Sequence, residues 1–426
     1  MARVSKHARA LGITRVANVT GLDHVGIPVV AVYRPNARSI VVSQGKGIDL
    51  WAAKASGLME AAESFHAEHC DLALRLRSYA EMTRVRPVVD VSRLPRVSVT
   101  SFHADRPLSW CAGVDLMQGD GRGTGPESNP EVWVPYEMVH TNFTLPLPTG
   151  SGCFTMSSNG LASGNHLTEA INHGICELIE RDALALWAMR GGSHSREGRV
   201  LRSSIDDPHC LALLARLDAA GLAYGIWDIR TDIAVPCFAC VSVDREPNPV
   251  GQVFVSHGSG AHANPGVALS RAISEAAQTR LTFIAGARDD ADRAFFERAR
   301  DPARARRALC AIDELEDPGE PLGVQGSAPH RDFQAIQGGD TDSFEGDLAW
   351  LEGRLRAVGI DELVAVDLGQ PRFDLSVVRM IIPGLESLHD IPGYVPGARV
   401  RARSADPSAH RVDLTLGRAA RPEVPA

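Results

Sequence analysis

Lysine is nearly missing from this 426-residue chain: it occurs only at positions 6, 46 and 54, so the basic side chains are almost all arginines. The 44 basic residues are outnumbered by 52 carboxylates, and a net charge of −8 argues against a nucleic-acid partner. No stretch approaches the roughly 18 apolar residues of a membrane span, and the charged start Met1 to Arg9 leads into no apolar run, so neither a membrane segment nor a secretory signal is expected. The chain is read as cytoplasmic. A disulfide framework is missing as well: the eight cysteines (Cys70, Cys111, Cys153, Cys176, Cys210, Cys237, Cys240 and Cys310) are scattered and read as small core residues. Cys237-Phe-Ala-Cys240 has redox or metal spacing, but it enters the apolar run ending at Val243. Three residues apart on a strand, the two thiols point to opposite faces, and no second pair accompanies them. With 44% hydrophobic and 23% charged residues, the composition is that of a globular protein able to bury a large core.

What is present is an arrangement of carboxylates at helical spacing among small apolar residues, met three times: Ser56 to Glu63, Glu169 to Arg181, and Glu275 to Arg280. In the middle segment, steps of four and three residues set Glu169, His173, Glu177 and Glu180 within one arc of about 80°, with Arg181 at its edge. A solvated helix face is the ordinary reading of such a stripe. Here Leu167, Ala170, Ile171, Ile175, Leu178, Ile179, Ala183, Leu186 and Trp187 cover nearly every other side, and a helix apolar almost all round belongs in the interior. Carboxylates there must take up protons or find a cation. Ser56, Glu60 and Glu63 fall at i, i+4 and i+7 on another helix, where two carboxylates can share a metal. Magnesium bound by glutamates from two helices, with phosphates completing its shell, is the first combination to test. Gln278 and Arg280 add a neutral hydrogen-bonding group and a guanidinium fork suited to phosphate. Gly45-Lys46-Gly47 is not a phosphate loop of the Walker type, since Gly47 stands where Ser or Thr should follow the lysine and Ile40 where the first glycine should be. The two glycines either end the strand Ser39 to Ser43 or present Lys46 to a nucleotide. His262 precedes Asn264 and Pro265, a cap and first turn for a helix, and reads as structural, with phosphate contact the weaker alternative.

These residues bring the chain close to a known family. Gly12-Ile-Thr-Arg15, Thr20-Gly-Leu-Asp23, Gly26-Ile-Pro28, Gly45-Lys-Gly47, Ser56 to Glu63, Asn159-Gly-Leu-Ala-Ser-Gly-Asn165, Glu177-Leu-Ile-Glu-Arg-Asp182 and Glu275-Ala-Ala-Gln-Thr-Arg280 together resemble a YcaO-domain protein over most of the chain. The resemblance implies an enzyme that uses ATP and Mg²⁺ to activate a peptide-backbone amide. It implies Glu60, Glu63, Glu177 and Glu180 as metal ligands, and Lys46, Ser56, Asn165, Arg181, Gln278 and Arg280 as nucleotide contacts. Arg181 or Arg280 would neutralise charge on the transferring phosphoryl group. It also implies a homodimer. Ser64 departs from the family's habit of an arginine after the second glutamate. Azoline-forming members typically finish in alternating prolines, whereas this chain finishes Arg421-Pro-Glu-Val-Pro425-Ala426, and no leader-capturing domain is recognised. Both points favour a standalone thioamide-forming member working on a ribosomally made peptide or protein with a TfuA-like partner. The alternatives are an azoline-forming cyclodehydratase of Cys, Ser or Thr residues, a non-catalytic nucleotide-binding accessory protein, and a metal-dependent hydrolase.

The coarse reading is a mixed α/β fold of the YcaO type, with ATP-binding helices packed on mixed sheets. Residues 27–33 and 39–43 are expected to form a hairpin, 51–70 the first functional helix, 71–84 its helical continuation, 86–91 a short strand and 131–139 another. The Gly/Pro/Ser/Thr-rich loop 141–165 is expected to order over ATP or peptide. A helix-strand-strand unit recurs from Leu211 through Asp228 to Val243 and from Leu348 through Asp367 to Ile382. The arginine-rich stretch 286–312 reads as a solvated, salt-bridged surface. The catalytic domain is placed at 1–400, with sub-parts near 1–140, 141–313 and 346–400, a linker at 314–345, and a tail at 401–426.

Overall fold

The computed structural model describes residues 2–96, 98–118, 130–246, 255–316, 330–387, 391 and 393–403. Its strands are β1 (Arg15–Asn18), β2 (Val29–Tyr33), β3 (Val42–Lys46), β4 (Arg75–Ser78), β5 (Pro107–Asp115), β6 (Glu131–Pro135), β7 (Leu161–Gly164), β8 (Leu222–Asp228), β9 (Cys237–Asp244), β10 (Val255–Ala261), β11 (Val364–Asp367) and β12 (Ser376–Ile381). The longer helices are α1 (Leu50–Glu68), α2 (Leu167–Met189), α3 (Pro208–Ala219), α4 (Pro265–Ala285), α5 (Pro302–Glu316) and α6 (Phe344–Ala357). The strands form a three-stranded sheet in the order β1-β2-β3, a second in the order β10-β9-β8, and a third in the order β4-β5-β11-β12-β7 with β6 also on β5. No helix among the described residues is long and apolar enough to cross a membrane.

Local chemistry starts the helices where the site needs them. Asp49 accepts from Ala52 N at 2.8 Å to open α1, and Asn264 accepts from Val267 N at 3.1 Å to open α4, with Pro265 in the first turn. His262 supports that cap through its Nδ1, which accepts from Asn264 N at 3.0 Å, as a structural role requires. The helices approach the sheets closely because glycines face them. A Cβ on Gly45 of β3 would lie 2.0 Å from Gly57 N on α1, and one on Gly258 of β10 would lie 2.2 Å from Ala272 O on α4. Gly45 therefore sits inside its strand and does not end it, and β3 runs three residues later than the sequence suggested. α2 is buried on several sides: Ile171, Ile175, Ile179 and Trp187 join one core with Trp227, Cys237 and Ala239 of the second sheet and with Val378 and Met380 of the third.

The repeated unit is present as α3-β8-β9 and α6-β11-β12, each strand pair antiparallel. Cys237 and Cys240 take opposite faces of β9 and enter different cores. Elsewhere the sequence misled. Residues 75–78 are an edge strand on β5, followed by one helical turn, Tyr79–Met82, closed by a reciprocal Ser78–Glu81 capping box. Val88 makes a single bridge to Trp133, and β6 stops at Pro135, after which Tyr136–Met138 turns. The loop 141–165, whose expected ordering over ATP or peptide is left untouched by this, contains β7, and within it the backbone N–H groups of Gly152, Cys153 and Phe154 donate to the Glu137 carboxylate. The arginine-rich stretch is only partly solvated, since Ala305, Ala308 and Ile312 of α5 are core residues. The expected linker folds in at Phe333, which is buried; its residues 317–329, and the tail from 404, lie outside the described residues.

Candidate active site

α1 lies on β3 and reaches β7, α4 lies on β10 and reaches β3, and α2 reaches β7 and β10, so strands shared by the three helices bring a face of each toward one space. From α1, Glu60 and Glu63 enter this space. Glu63 accepts from Ser163 Oγ on β7 at 2.6 Å. From α2 come Glu177, which accepts from Gly160 N at 3.2 Å, and Glu180, which accepts from Ser259 Oγ at 2.6 Å and Ala261 N at 3.2 Å. Arg181 reaches both α2 carboxylates at 3.5 Å. From β3, Lys46 Nζ bonds Glu275 of α4, and its backbone N–H donates to Ser56 Oγ at 3.4 Å. Gln278 of α4 donates to Gln44 O at 3.2 Å, while its buried Oε1 accepts nothing among the described residues.

The electrostatics show that this is one cluster. Burial pushes Glu60 up from 4.5 to about 7, helped by the charge of Glu177 and opposed by Lys46 and Arg288. Burial likewise pushes Glu63 up to about 8, with Glu60 and Glu177 adding to the effect. Glu177 is raised by burial and by Glu180 against the pull of Arg181 and Arg379. Burial would push Glu275 up too, but Lys46 and Arg181 hold it below its ordinary value. His173, bonded through Nε2 to Arg271 Nη2 at 3.1 Å, is driven down to about 3 by burial and by that arginine, so it is neutral.

Two predicted positions are engaged with other partners. Arg280 is 2% exposed, and its guanidinium is clamped by Asp23 (2.7 and 3.2 Å) and Asp244 (2.9 and 3.2 Å). Two carboxylates already neutralise it, so it ties α4 to the first loop and to β9 and is not aimed at a phosphate. Asn165 is exposed, with its N–H donating to Glu169 at 2.7 Å and its carbonyl accepting from Arg3 at 3.3 Å. Ser64, where an arginine was expected, bonds back to Glu60 O at 3.0 Å within its own helix.

Sequence reasoning missed several members of the cluster. Glu275 stood three residues before Gln278 in a quoted motif, a signal that was available. Arg379 of β12 had none: it is 1% exposed, donates to Val139 O at 3.1 Å and Asn159 O at 2.7 Å, and attracts both Glu177 and Glu63. Burial lowers it to about 10, which leaves it charged at neutral pH. Arg288, from the stretch read as solvated, also acts on Glu60.

The donor set fits magnesium and a polyphosphate. Burial makes Glu60 and Glu63 resist ionisation, a cost that a bound cation would offset. Among the described residues no three His, Cys, Asp or Glu side chains close into a cage by themselves. Mg²⁺ shares its shell between a carboxylate or two, phosphate oxygens and water, so Glu60, Glu63, Glu177 and Glu180 are the donors the protein could offer it.

Comparison with known proteins agrees. Residues 44–386 match the family model described as YcaO cyclodehydratase, ATP- and Mg²⁺-binding. The chain is 35% identical over 407 residues to an uncharacterised protein in the tfuA 3′ region of Rhizobium leguminosarum bv. trifolii, covering 94% of this chain and 90% of that one. It is 33% identical over 413 residues to an uncharacterised protein of Methanothermobacter thermautotrophicus, covering 92% and 94%. Among solved structures, YcaO from Methanopyrus kandleri, bound with AMPPCP and Mg²⁺, superposes with a TM-score of 0.63 at 19% identity over 90% of this chain and 88% of that one. A heterocyclase in complex with substrate and cofactor superposes at 0.67 and 20% identity over 91% of this chain, which spans 52% of the heterocyclase's length. At those identities the superpositions speak to fold alone. Sequence match, fold and the carboxylate cluster lead to one conclusion: the chain belongs to the YcaO family, ATP-dependent enzymes whose cofactors are ATP and Mg²⁺.

Proposed function

We propose that this protein activates a backbone amide of a ribosomally made peptide or protein by ATP-dependent O-phosphorylation, and that its product is a thioamide. The observation that carries the reading is the meeting of Glu60, Glu63, Glu177 and Glu180 with Lys46, Arg181 and Gln278 in one buried cluster. The relative from the tfuA 3′ region supports the thioamide product and a TfuA-like partner protein. A homodimer is the proposed assembly. Ring closure of Cys, Ser or Thr residues to azolines is the second reading, supported by the family's description as cyclodehydratases.

Oxygen is a poor leaving group from an amide. The reaction proposed here adds a nucleophile to the carbonyl carbon, moves the γ-phosphoryl group of ATP onto the resulting oxygen, and then breaks the C–O bond to release phosphate. Bound Mg²⁺ would screen the phosphate charges, with Glu60, Glu63, Glu177 and Glu180 to hold it. Lys46 and Arg181 are the cations placed to orient the phosphates, each of which must first loosen its present carboxylate partner. Ser56 and Gln278 border the same space as neutral hydrogen-bonding groups, and Gln278 Oε1 awaits a donor. Arg280 holds α4, and with it Glu275 and Gln278, in position from the opposite side.

Mass spectrometry of a co-expressed candidate peptide tests the product: oxygen-to-sulfur exchange adds about 16 Da, whereas ring closure removes about 18 Da. Glu177→Gln and Glu180→Gln are each expected to abolish peptide-dependent phosphate release, while Cys237→Ala, which alters a buried thiol that burial keeps uncharged, leaves turnover unchanged. Unaltered turnover in both glutamine variants would sink the assignment. Tight ATP binding without peptide-stimulated phosphate release would point to an accessory role.

A further inference from the structure

Beyond the glutamate cluster, α2 contributes to a polar cavity. It has a volume of about 310 Å³ and is lined by Trp187, Arg190, Glu197, Asp228, Arg230 and Arg331 among others. Trp187 lies seven residues past Glu180 on α2, about 10 Å along the axis and on the same helix face. Two of the three arginines are already neutralised. Arg190 Nη1 pairs with Glu197 at 2.8 Å, and Arg230 is chelated by Asp228 through Nε at 2.9 Å and Nη2 at 2.7 Å. Arg331 is exposed and its guanidinium has no carboxylate among the described residues, although its backbone is fixed by bonds to Arg199 and Leu201. The lining thus carries one uncompensated positive charge on an anchored stretch of chain, beside an indole whose ring is packed on Trp227 at 5.7 Å.

We propose that this cavity binds a carboxylate-bearing residue of a peptide, with Arg331 taking the carboxylate and Trp187 the aliphatic stem. A carboxylate suits it better than a phosphate: one guanidinium fork matches one carboxylate, whereas Glu197 and Asp228 in the same walls would repel a dianion. The volume is at the lower end of small-ligand pockets and fits a side chain with its flanking backbone. The assignment of the peptide as substrate rests on the amide-activation reading, because the cavity shares α2 with the proposed ATP site; the binding itself does not.

The test is titration of ¹⁵N-indole-labelled full-length protein with N-acetylglutamate amide, read at the Trp187 indole resonance, which is identified by its loss in Trp187→Phe. The expected result is a saturable shift at millimolar concentrations that N-acetylglutamine amide does not produce, and a Kd about fivefold weaker in Arg331→Gln. Arg331 is exposed and outside the glutamate cluster, so the variant should keep the wild-type fold and basal ATP turnover. An absent shift, an equal response to the glutamine analogue, or an unchanged Kd in Arg331→Gln would each overturn the proposal. A positive titration in a protein that modifies no peptide would leave the cavity assigned and remove the amide-activation reading instead.

Discussion

Glu60 offers the sharpest test of the charge balance in the glutamate cluster. In the nucleotide-free, metal-free protein its carboxyl is pushed from 4.5 to about 7 by burial and by Glu177. A folded-state value above the unfolded one means that the native state binds the proton more tightly, so this group's contribution to stability is complete below about pH 4.5 and is lost as pH rises through 7. The difference of about 2.5 pH units, at 1.36 kcal/mol each, corresponds to a loss of about 3 kcal/mol, or about 3 °C in melting temperature for a chain of this length. Glu60→Gln removes the titration without removing volume. In EDTA, the variant and the wild type are expected to melt together at pH 4.5 to 5, and the variant is expected to melt higher by about that amount at pH 8. Addition of Mg²⁺ with a non-hydrolysable ATP analogue should reverse the order, stabilising wild type more than the variant. Differential scanning calorimetry from pH 4.5 to 8.5 in both conditions decides it. Parallel pH profiles for the two proteins in EDTA would refute the reasoning, because Glu60 would then not be a buried carboxylate short of a cation.

Other substitutions probe how the cluster is assembled. Arg280→Met leaves Asp23 and Asp244 without the guanidinium they share and should cost about 3–5 kcal/mol in urea unfolding, with Arg280→Lys recovering part of it. Equal stability of Arg280→Met and wild type would return Arg280 to the list of phosphate contacts. Gly45→Val places a side chain where Gly57 N would lie 2.0 Å from its Cβ, so α1 must lift from β3; the expected outcome is loss of ATP binding together with a lowered melting temperature. Retained ATP affinity would show that the distance between α1 and β3 does not set the site.

Much of the candidate site was legible in the chain because helical periodicity is a local property. Glu60 and Glu63, or Glu177 and Glu180, share a face whatever the helix packs on, and the apolar residues around Glu177 announced an interior helix, which α2 is. The opposite faces of Cys237 and Cys240 followed from strand geometry in the same way. The misses arose where sequence neighbours do not decide. Residues 75–78 became a strand because β5 supplies a hydrogen-bonding edge, which outweighed their helical pattern. Arg280 resembled a phosphate ligand until Asp23, 257 positions away in sequence, took up its fork.

By itself the sequence determined the acidic helix faces, the mixed α/β class, the repeated helix-strand-strand unit and the family, since each rests on short-range pattern or on shared motifs. Only the tertiary structure decided which charges meet: Lys46 with Glu275, Arg379 with Glu177 and Glu63, Arg280 with two aspartates. A charge shows its sign in the sequence, but its energy depends on burial and on what stands within a few ångströms, and both are set by how distant segments pack.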